Sequence, residues 1–414
     1  MKNIYVIGGG TAGWLTAMFL QNTKQNSNIT LVESKSVGIV GVGEGTTPNI
    51  RDFFRRLRID ENDFQDNTNS TRKIGIRFEN WPGDGSFYNH DFYLNNIQNY
   101  AFHFDTYTLG EYFKNKAKQR GINYIQDDVL DFKTEDVLID EQLERRINKI
   151  ILQETGEVET DFVFDCTGFS RLILDKVMKS EWVSVKKYLS LNSAIPFYLP
   201  NDKPLTKNTD TRTNSISMKN GWLWMIPLQD RMGCGYVFDS NYISDDEAKK
   251  EVEEFLGHSV DFKKRISFES GYFNEVWKGN CISIGLSGGF FEPLEATSIM
   301  TIIIQLEGLM NNRFDYKNRT EYNDIVRSVN EQVLNFIRYH YVCDRDDSQF
   351  WIDYKTKDMP EKLSKLLNSD NRLKILSTSE LQSILKNPNG NRVFDIPSYL
   401  IQSRGNFKKE KILI

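Results

Sequence analysis

Residues 3–7 form a short apolar, β-branched run, glycines follow, and Trp14, Leu15, Ala17, Met18 and Leu20 then recur at helical spacing ahead of a second strand-like run over 29–33. This is a β-α-β unit. Beyond it, 36–48 reads as a glycine-rich loop and 50–57 as a helix whose start is marked by Pro48. Over 72–79 polar and apolar residues alternate, which places Ile74, Ile76 and Phe78 on one face of a half-buried strand; Lys73, Arg77 and Glu79 alternate with them, which taken alone reads as a solvated face. A helix around 109–119 precedes a strand near 123–125, and 128–165 carries several short strands ending in Phe-Val-Phe-Asp at 162–165. Strands continue through 182–240. Helix is expected over 243–257 and nearly everywhere beyond 298, apart from polar connections near 343–355 and 387–395. There is no internal repeat and no low-complexity linker. The pattern predicts an α/β core with an interleaved sheet over 1–310 and a helical C-terminal subdomain over 311–414.

Composition narrows the partners. The 414 residues carry 52 Lys+Arg against 57 Asp+Glu, a net charge of −5, without the basic runs that a phosphate-tracking surface requires, so nucleic acid is excluded. Cys166, Cys234, Cys281 and Cys343 are far apart and lack zinc-site spacing; they read as reduced, mostly buried thiols, and no metal is expected. The opening MKNIYVIGGG enters a strand directly, which predicts a cytoplasmic protein. The most apolar later stretch, 299–310, is interrupted by Gln305, Glu307 and Gly308, so no membrane segment is expected.

Gly8, Gly10 and Gly13 form G-x-G-x-x-G between a strand and a helix that opens on Thr11 and Ala12. Such a turn lets the backbone approach a pyrophosphate and presents the unpaired N–H groups of a helix start. Glu33, about twenty residues beyond the motif, is placed to bind the hydroxyls of an adenosine ribose and disfavours a 2′-phosphate. The motif alone does not separate FAD from NAD. Two later strand-and-turn segments favour FAD: the one ending in Asp165-Cys166-Thr167-Gly168 and the one containing Gly285-Leu286-Ser287-Gly288 resemble those that flavoprotein monooxygenases place against their dinucleotide. Many of those enzymes carry an aspartate where this chain has Leu286. Contact with the ribityl hydroxyls must then come mainly from backbone groups. The implied fold is a Rossmann-like, FAD-binding flavoprotein monooxygenase fold.

Gly221-Trp222-Leu223-Trp224-Met225-Ile226-Pro227 contains W-x-W-x-I-P, and with it the chain resembles the flavin-dependent tryptophan halogenases over nearly its full length. By that resemblance Trp222 and Trp224 line the region between flavin and substrate. The segment Thr71-Arg72-Lys73-Ile74-Gly75-Ile76-Arg77-Phe78 resembles the family segment that carries the catalytic lysine, here Lys73. A lysine can hydrogen-bond hypohalous acid or, if deprotonated by burial, hold the halogen as a haloamine. Pro293-Leu294-Glu295-Ala296-Thr297-Ser298 resembles P-L-E-S-T-G, which makes Glu295 the catalytic glutamate and puts the N–H groups of Thr297 and Ser298 at a helix start where a halide could bind. Ala296 and Ser298 replace the usual serine and glycine. If that glycine has positive φ, a serine there is strained or moves the amide. Residues 37–48, with Gly43, resemble the glycine-rich strap beside the flavin, and His90 and Phe92 resemble the pair that stacks on indole in tryptophan-specific members. The string 345–351 resembles a family segment that packs helices.

The resemblance implies halogenation of an electron-rich aromatic, indole or phenol-like, by FADH2, oxygen and a halide ion through hypohalous acid. A separate flavin reductase supplies FADH2, because no second nucleotide site is evident. Bromide or iodide is expected ahead of chloride, since larger halides are easier to oxidise and to strip of water. The chain is shorter than typical members acting on free tryptophan, mainly at its C-terminal side, so a more open pocket is expected. A flavin hydroxylase, a non-catalytic flavin-binding protein and a homo-oligomeric state stay open from the residues.

Overall fold

The computed structural model describes residues 2–24, 26–38, 43–94, 97–139, 142–311, 314–374, 379–380, 384 and 393–407. Positions 39–42 of the expected strap and 387–392 of the expected polar connection lie outside the described residues.

A six-stranded sheet runs in the order Trp277–Lys278, Cys281–Ser283, Phe162–Asp165, Asn3–Ile7, Asn28–Glu33, Asn123–Gln126. All neighbours are parallel except the Trp277–Lys278 edge. Parallel neighbours need crossovers, and helix Thr11–Thr23 supplies the one between Asn3–Ile7 and Asn28–Glu33. It holds there because Trp14, Leu15, Ala17, Met18 and Leu20 are buried, each larger side chain contributing roughly 2 kcal/mol. The expected β-α-β unit is therefore present.

The second sheet follows the order Ile266–Ser267, Ser193–Pro200, Arg231–Phe238, Gly221–Pro227, Asp210–Met218, Thr71–Glu79, Ala101–Phe104, Glu44–Gly45, and Phe87–Asp91 also pairs with Thr71–Glu79. The pair Glu44–Gly45 belongs to the stretch expected as loop; it hydrogen-bonds beside Phe104 and His103. Register decides which side chains share a face. On the parallel pair, Lys73 lies beside Thr211 but Gly75 lies beside Arg212, so Ile74 is a bulge. One extra residue reverses the alternation. Lys73 consequently shares its face with Ile76 and Phe78 instead of opposing them, and Ile74 turns to the other side; Lys73 is buried and Ile74 half-buried. Neighbouring strands place His90, His103, Trp222 and Trp224 on that same face.

The C-terminal helices Arg319–His340, Gln349–Thr356, Glu361–Leu366 and Ile396–Gly405 cover this face. Helix Gln349–Thr356 occupies much of the stretch expected as a polar connection: Ser348 caps it, and Phe350, Trp351 and Tyr354 are buried on it. The expected boundary at 310/311 falls at the end of helix Thr297–Asn311, yet the helices beyond share one core with the sheet, Phe336, Tyr341 and Trp351 packing with Ile76, Phe78, Trp81 and Trp222.

Candidate functional site

The three motif glycines meet three different demands. At Gly8 φ is +122°, and a Cβ would lie 2.2 Å from the Cys166 carbonyl oxygen; at Gly13 a Cβ would lie 1.8 Å from the Gly8 oxygen. At Gly10 a Cβ would meet nothing within 4 Å, leaving open approach to the start of helix Thr11–Thr23, which no side chain caps. A pyrophosphate fits that cradle. Glu33 packs against Gly9, whose Cβ would lie 2.5 Å from its carboxyl, and Glu33 accepts a hydrogen bond from Tyr124. Gly285, at φ +74°, backs onto the same turn, its Cβ position 3.0 Å from that of Ala12, while Leu286 sits half-buried in the short turn Gly285–Ser287.

Asp165 is fully buried at the end of its strand. Its two oxygens accept from Thr167 N–H at 3.1 Å and Oγ1 at 2.7 Å, and from the N–H groups of Ile173 and Leu174 at 2.9 and 3.0 Å. The carboxylate thus shapes the turn after its strand, and the Gly8 turn backs onto that turn at the Cys166 carbonyl.

Lys73 is fully buried and its Nζ has no hydrogen-bond partner among the described residues. Burial pushes its ammonium down to about 7, with the nearby Glu295 carboxylate pulling the other way. The Nζ lies 5.4 Å from the centre of the Phe92 ring, and a Cβ at Gly45 would come within 3.1 Å of it. The end of the strap thus lies directly against the lysine. Gly43, at φ +150°, leads into it. Adjacent Glu44 is half-buried, accepts from Thr11 Oγ1 at 3.3 Å, and is pushed up to about 7 by desolvation, joining the strap to the start of the dinucleotide helix.

Glu295 sits 4 % exposed in a tight turn at φ +64°, followed by Ala296 at φ +55°. The backbone strain anticipated at Ser298 is therefore carried by these two residues. Thr297 and Ser298 are instead the first two residues of helix Thr297–Asn311. Two histidines grip the carboxylate: His90 Nδ1 lies 3.0 Å from both oxygens and His340 Nε2 lies 2.9 Å from Oε1. Burial by itself would raise the carboxyl; the charges and hydrogen bonds of His90 and His340 outweigh it and hold it well below the usual range. His90 is also buried, which opposes its charge, but Glu295 raises it overall. The other nitrogen of His90 reaches Ser398 Oγ at 3.0 Å, on helix Ile396–Gly405, and Phe336 lies 5.8 Å from its ring. Both nitrogens being engaged, His90 serves Glu295 and the C-terminal helix. That helix covers the strand carrying His90, where a more open pocket was expected.

Trp222 is 1 % exposed and Trp224 half-buried, their ring centres 6.3 Å apart. Trp224 packs against Gly235, where a Cβ would fall 2.2 Å from its ring. His340, His103, Glu44 and Glu292 were not singled out from the sequence. One signal was available: the chain has four histidines, and three of them, His90, His103 and His340, are buried around Lys73 and Glu295. His103, between Thr211 and Thr213 at 3.1 and 2.8 Å, is driven well below its usual range by burial and then by Lys73.

The dinucleotide cradle and the buried lysine–glutamate face together describe a flavin enzyme of the halogenating class. A tryptophan halogenase family model matches residues 3–98 and 93–395, and the chain belongs to that family. A 7-chloro-L-tryptophan 6-halogenase, KtzR of Kutzneria sp. (strain 744), is 31% identical over 437 residues, covering 87% of this chain and 83% of its own. The crystal structure of a tryptophan 6-halogenase, SttH of Streptomyces toxytricini, superposes with a TM-score of 0.83 at 28% identity over 98% of this chain and 90% of the other. Tar14, a tryptophan C-6 flavin-dependent halogenase (chlorinase) from taromycin biosynthesis, also gives 0.83 at 28% identity, over 99% and 91%. The chain is thus an enzyme whose cofactor is FAD, used as FADH2 with a halide ion. All four cysteines are free and buried. Among the described residues no acidic, His or Cys group is arranged to hold a metal, and no helix is long and apolar enough to cross a membrane.

Proposed function

We propose that this enzyme halogenates an electron-rich aromatic of the indole or phenol type, with Lys73 carrying the halogen and Glu295 managing the proton. The observation that carries the reading is Lys73, a fully buried amine with no hydrogen-bond partner among the described residues, whose burial pushes its ammonium down to about 7. An amine of that kind is substantially neutral at neutral pH and has a free lone pair. Gly8, Gly10, Gly13, Thr11, Ala12 and Glu33 hold FAD, with Gly285 and Leu286 along the flavin side. When bound, the reduced flavin supplies an electrophilic halogen, as hypohalous acid, from oxygen and a halide held by the N–H groups of Thr297 and Ser298.

Hypohalous acid and the Lys73 amine give Lys73–NH–X and water: the N–X bond forms, the O–X bond breaks, and the amine proton leaves with the hydroxide. The aromatic ring then attacks X as the N–X nitrogen takes up a proton, the N–X electron pair stays on that nitrogen to restore the amine, and the ring proton released on rearomatisation goes to Glu295, making good the proton consumed. His90 and His340 keep Glu295 oriented for that transfer. Trp222 and Trp224 form the wall between flavin and substrate. His90 acts on Glu295 rather than on substrate, leaving Phe92, beside Lys73, as the aromatic that meets the ring.

Intrinsic ease of oxidation and of dehydration orders the halides, so that bromide or iodide is preferred to chloride; Ser298, in a regular helix, does not add the displaced amide expected from the sequence. A separate, diffusing reductase supplies FADH2, and both proteins work in the cytoplasm. The test supplies purified protein, reductase, FAD and NADH with equimolar chloride, bromide and iodide to a panel of indoles, phenols and anilines, followed by mass spectrometry. Halogenated product with bromine or iodine dominant is expected. Hydroxylated product, or none, overturns the reading; dominant chlorination overturns the halide order alone.

A further inference from the structure

Three residues before Glu295, Glu292 is 1 % exposed. Its Oε2 accepts the indole N–H of Trp222 at 3.0 Å and the hydroxyl of Tyr341 at 2.7 Å, while Oε1 has no partner among the described residues. Burial pushes this carboxyl up to about 7, against the pull of both hydrogen bonds. A leucine or methionine would fill the volume without that desolvation cost, so a carboxyl here calls for a purpose. The acceptor it provides is aimed at an indole. Apolar packing can centre a tryptophan, but its one polar atom fixes which way the ring points, because a buried N–H turned from its acceptor is left unsatisfied. The same corner of the chain touches both glutamates: His340 grips Glu295 and Tyr341 grips Glu292.

We infer that Glu292 is a positioning residue which fixes the ring plane of Trp222 and, through the contact with Trp224, sets the wall between flavin and substrate. The functional half of this inference rests on the wall reading given above. The positioning half stands on the hydrogen bonds alone.

The experiment labels the full-length protein with 5-fluorotryptophan, assigns Trp222 among the seven tryptophans by its loss in Trp222→Phe, and compares Glu292→Gln with Glu292→Leu. The glutamine keeps an oxygen acceptor; the leucine does not. In the leucine variant the Trp222 19F resonance is expected to shift or broaden while that of Trp277, in the other core, stays in place. Halogenated product per FADH2 oxidised should fall at least five-fold, and the glutamine variant should restore both readouts to within two-fold of wild type. An unmoved Trp222 resonance in the leucine variant overturns the inference. A moved resonance with unchanged product per FADH2 upholds Glu292 as the residue that positions Trp222 and refutes the wall reading. If the leucine variant does not fold, Glu292→Met, unbranched and equally without an oxygen acceptor, supplies the same comparison.

Discussion

Replacing Lys73 by methionine should make the protein more stable while ending its chemistry. The folded state holds the amine at about 7 against 10.5 for a free lysine, a difference of 3.5 units that at about 1.4 kcal/mol each amounts to about 5 kcal/mol. The sign follows from proton counting. Between pH 7 and 10.5 the unfolded chain binds the proton and the folded chain does not, so wild-type stability rises with pH across that window, and the full penalty applies below it. At pH 8 about 3 kcal/mol of the penalty remains. Methionine carries no charge to desolvate and fills nearly the same space beside Phe92 and Gly45. Urea unfolding followed by two coincident probes should therefore show Lys73→Met more stable than wild type by about 5 kcal/mol at pH 6 and about 3 at pH 8, converging toward pH 10.5. A gain below about 0.5 kcal/mol at both pH values, or a gain that grows with pH, would refute the claim that the folded protein pays to bury this amine.

Glu33→Lys should weaken FAD binding at least ten-fold in a fluorescence titration, because it replaces a carboxylate packed on Gly9 by a donor. Gly13→Ala should cost about 3 kcal/mol of stability in thermal unfolding and lower FAD occupancy, since its Cβ would stand 1.8 Å from the Gly8 oxygen. His340→Phe should reduce kcat at least ten-fold with little change in the Kd for FAD, and His340→Gln, which can still donate to Glu295, should recover much of the loss; equal losses in both variants would count against the clamp.

How much of this could be read from residues alone depended on whether local pattern and backbone path agreed. The glycine spacing translated directly into the turn, because Gly8 and Gly13 answer to contacts within a few residues or just past the adjoining strand, while Gly10 keeps the helix start open. The alternation over 72–79 did not: it sends Lys73 to the solvated face, and only the bulge at Ile74, a matter of pairing with Asp210–Met218, brings it inside. Helix Gln349–Thr356 was hidden by the charged residues ahead of it, although Phe350, Trp351 and Tyr354 are spaced for a helix. The strain assigned to Ser298 belongs to Glu295 and Ala296, since φ is set by how the turn enters the helix and not by the residue type at one position. His340, alone at a helix end 45 residues from Glu295, carries no local signal.

The most direct test of the central claim compares wild type with Lys73→Ala in single-turnover reactions with FADH2, oxygen, bromide and an aromatic substrate, following flavin oxidation by absorbance and product by mass spectrometry. The account predicts that the variant oxidises its flavin at a rate within two-fold of wild type and yields no brominated product above the level formed by free hypobromous acid. Bromination by Lys73→Ala at the wild-type rate and position would contradict it.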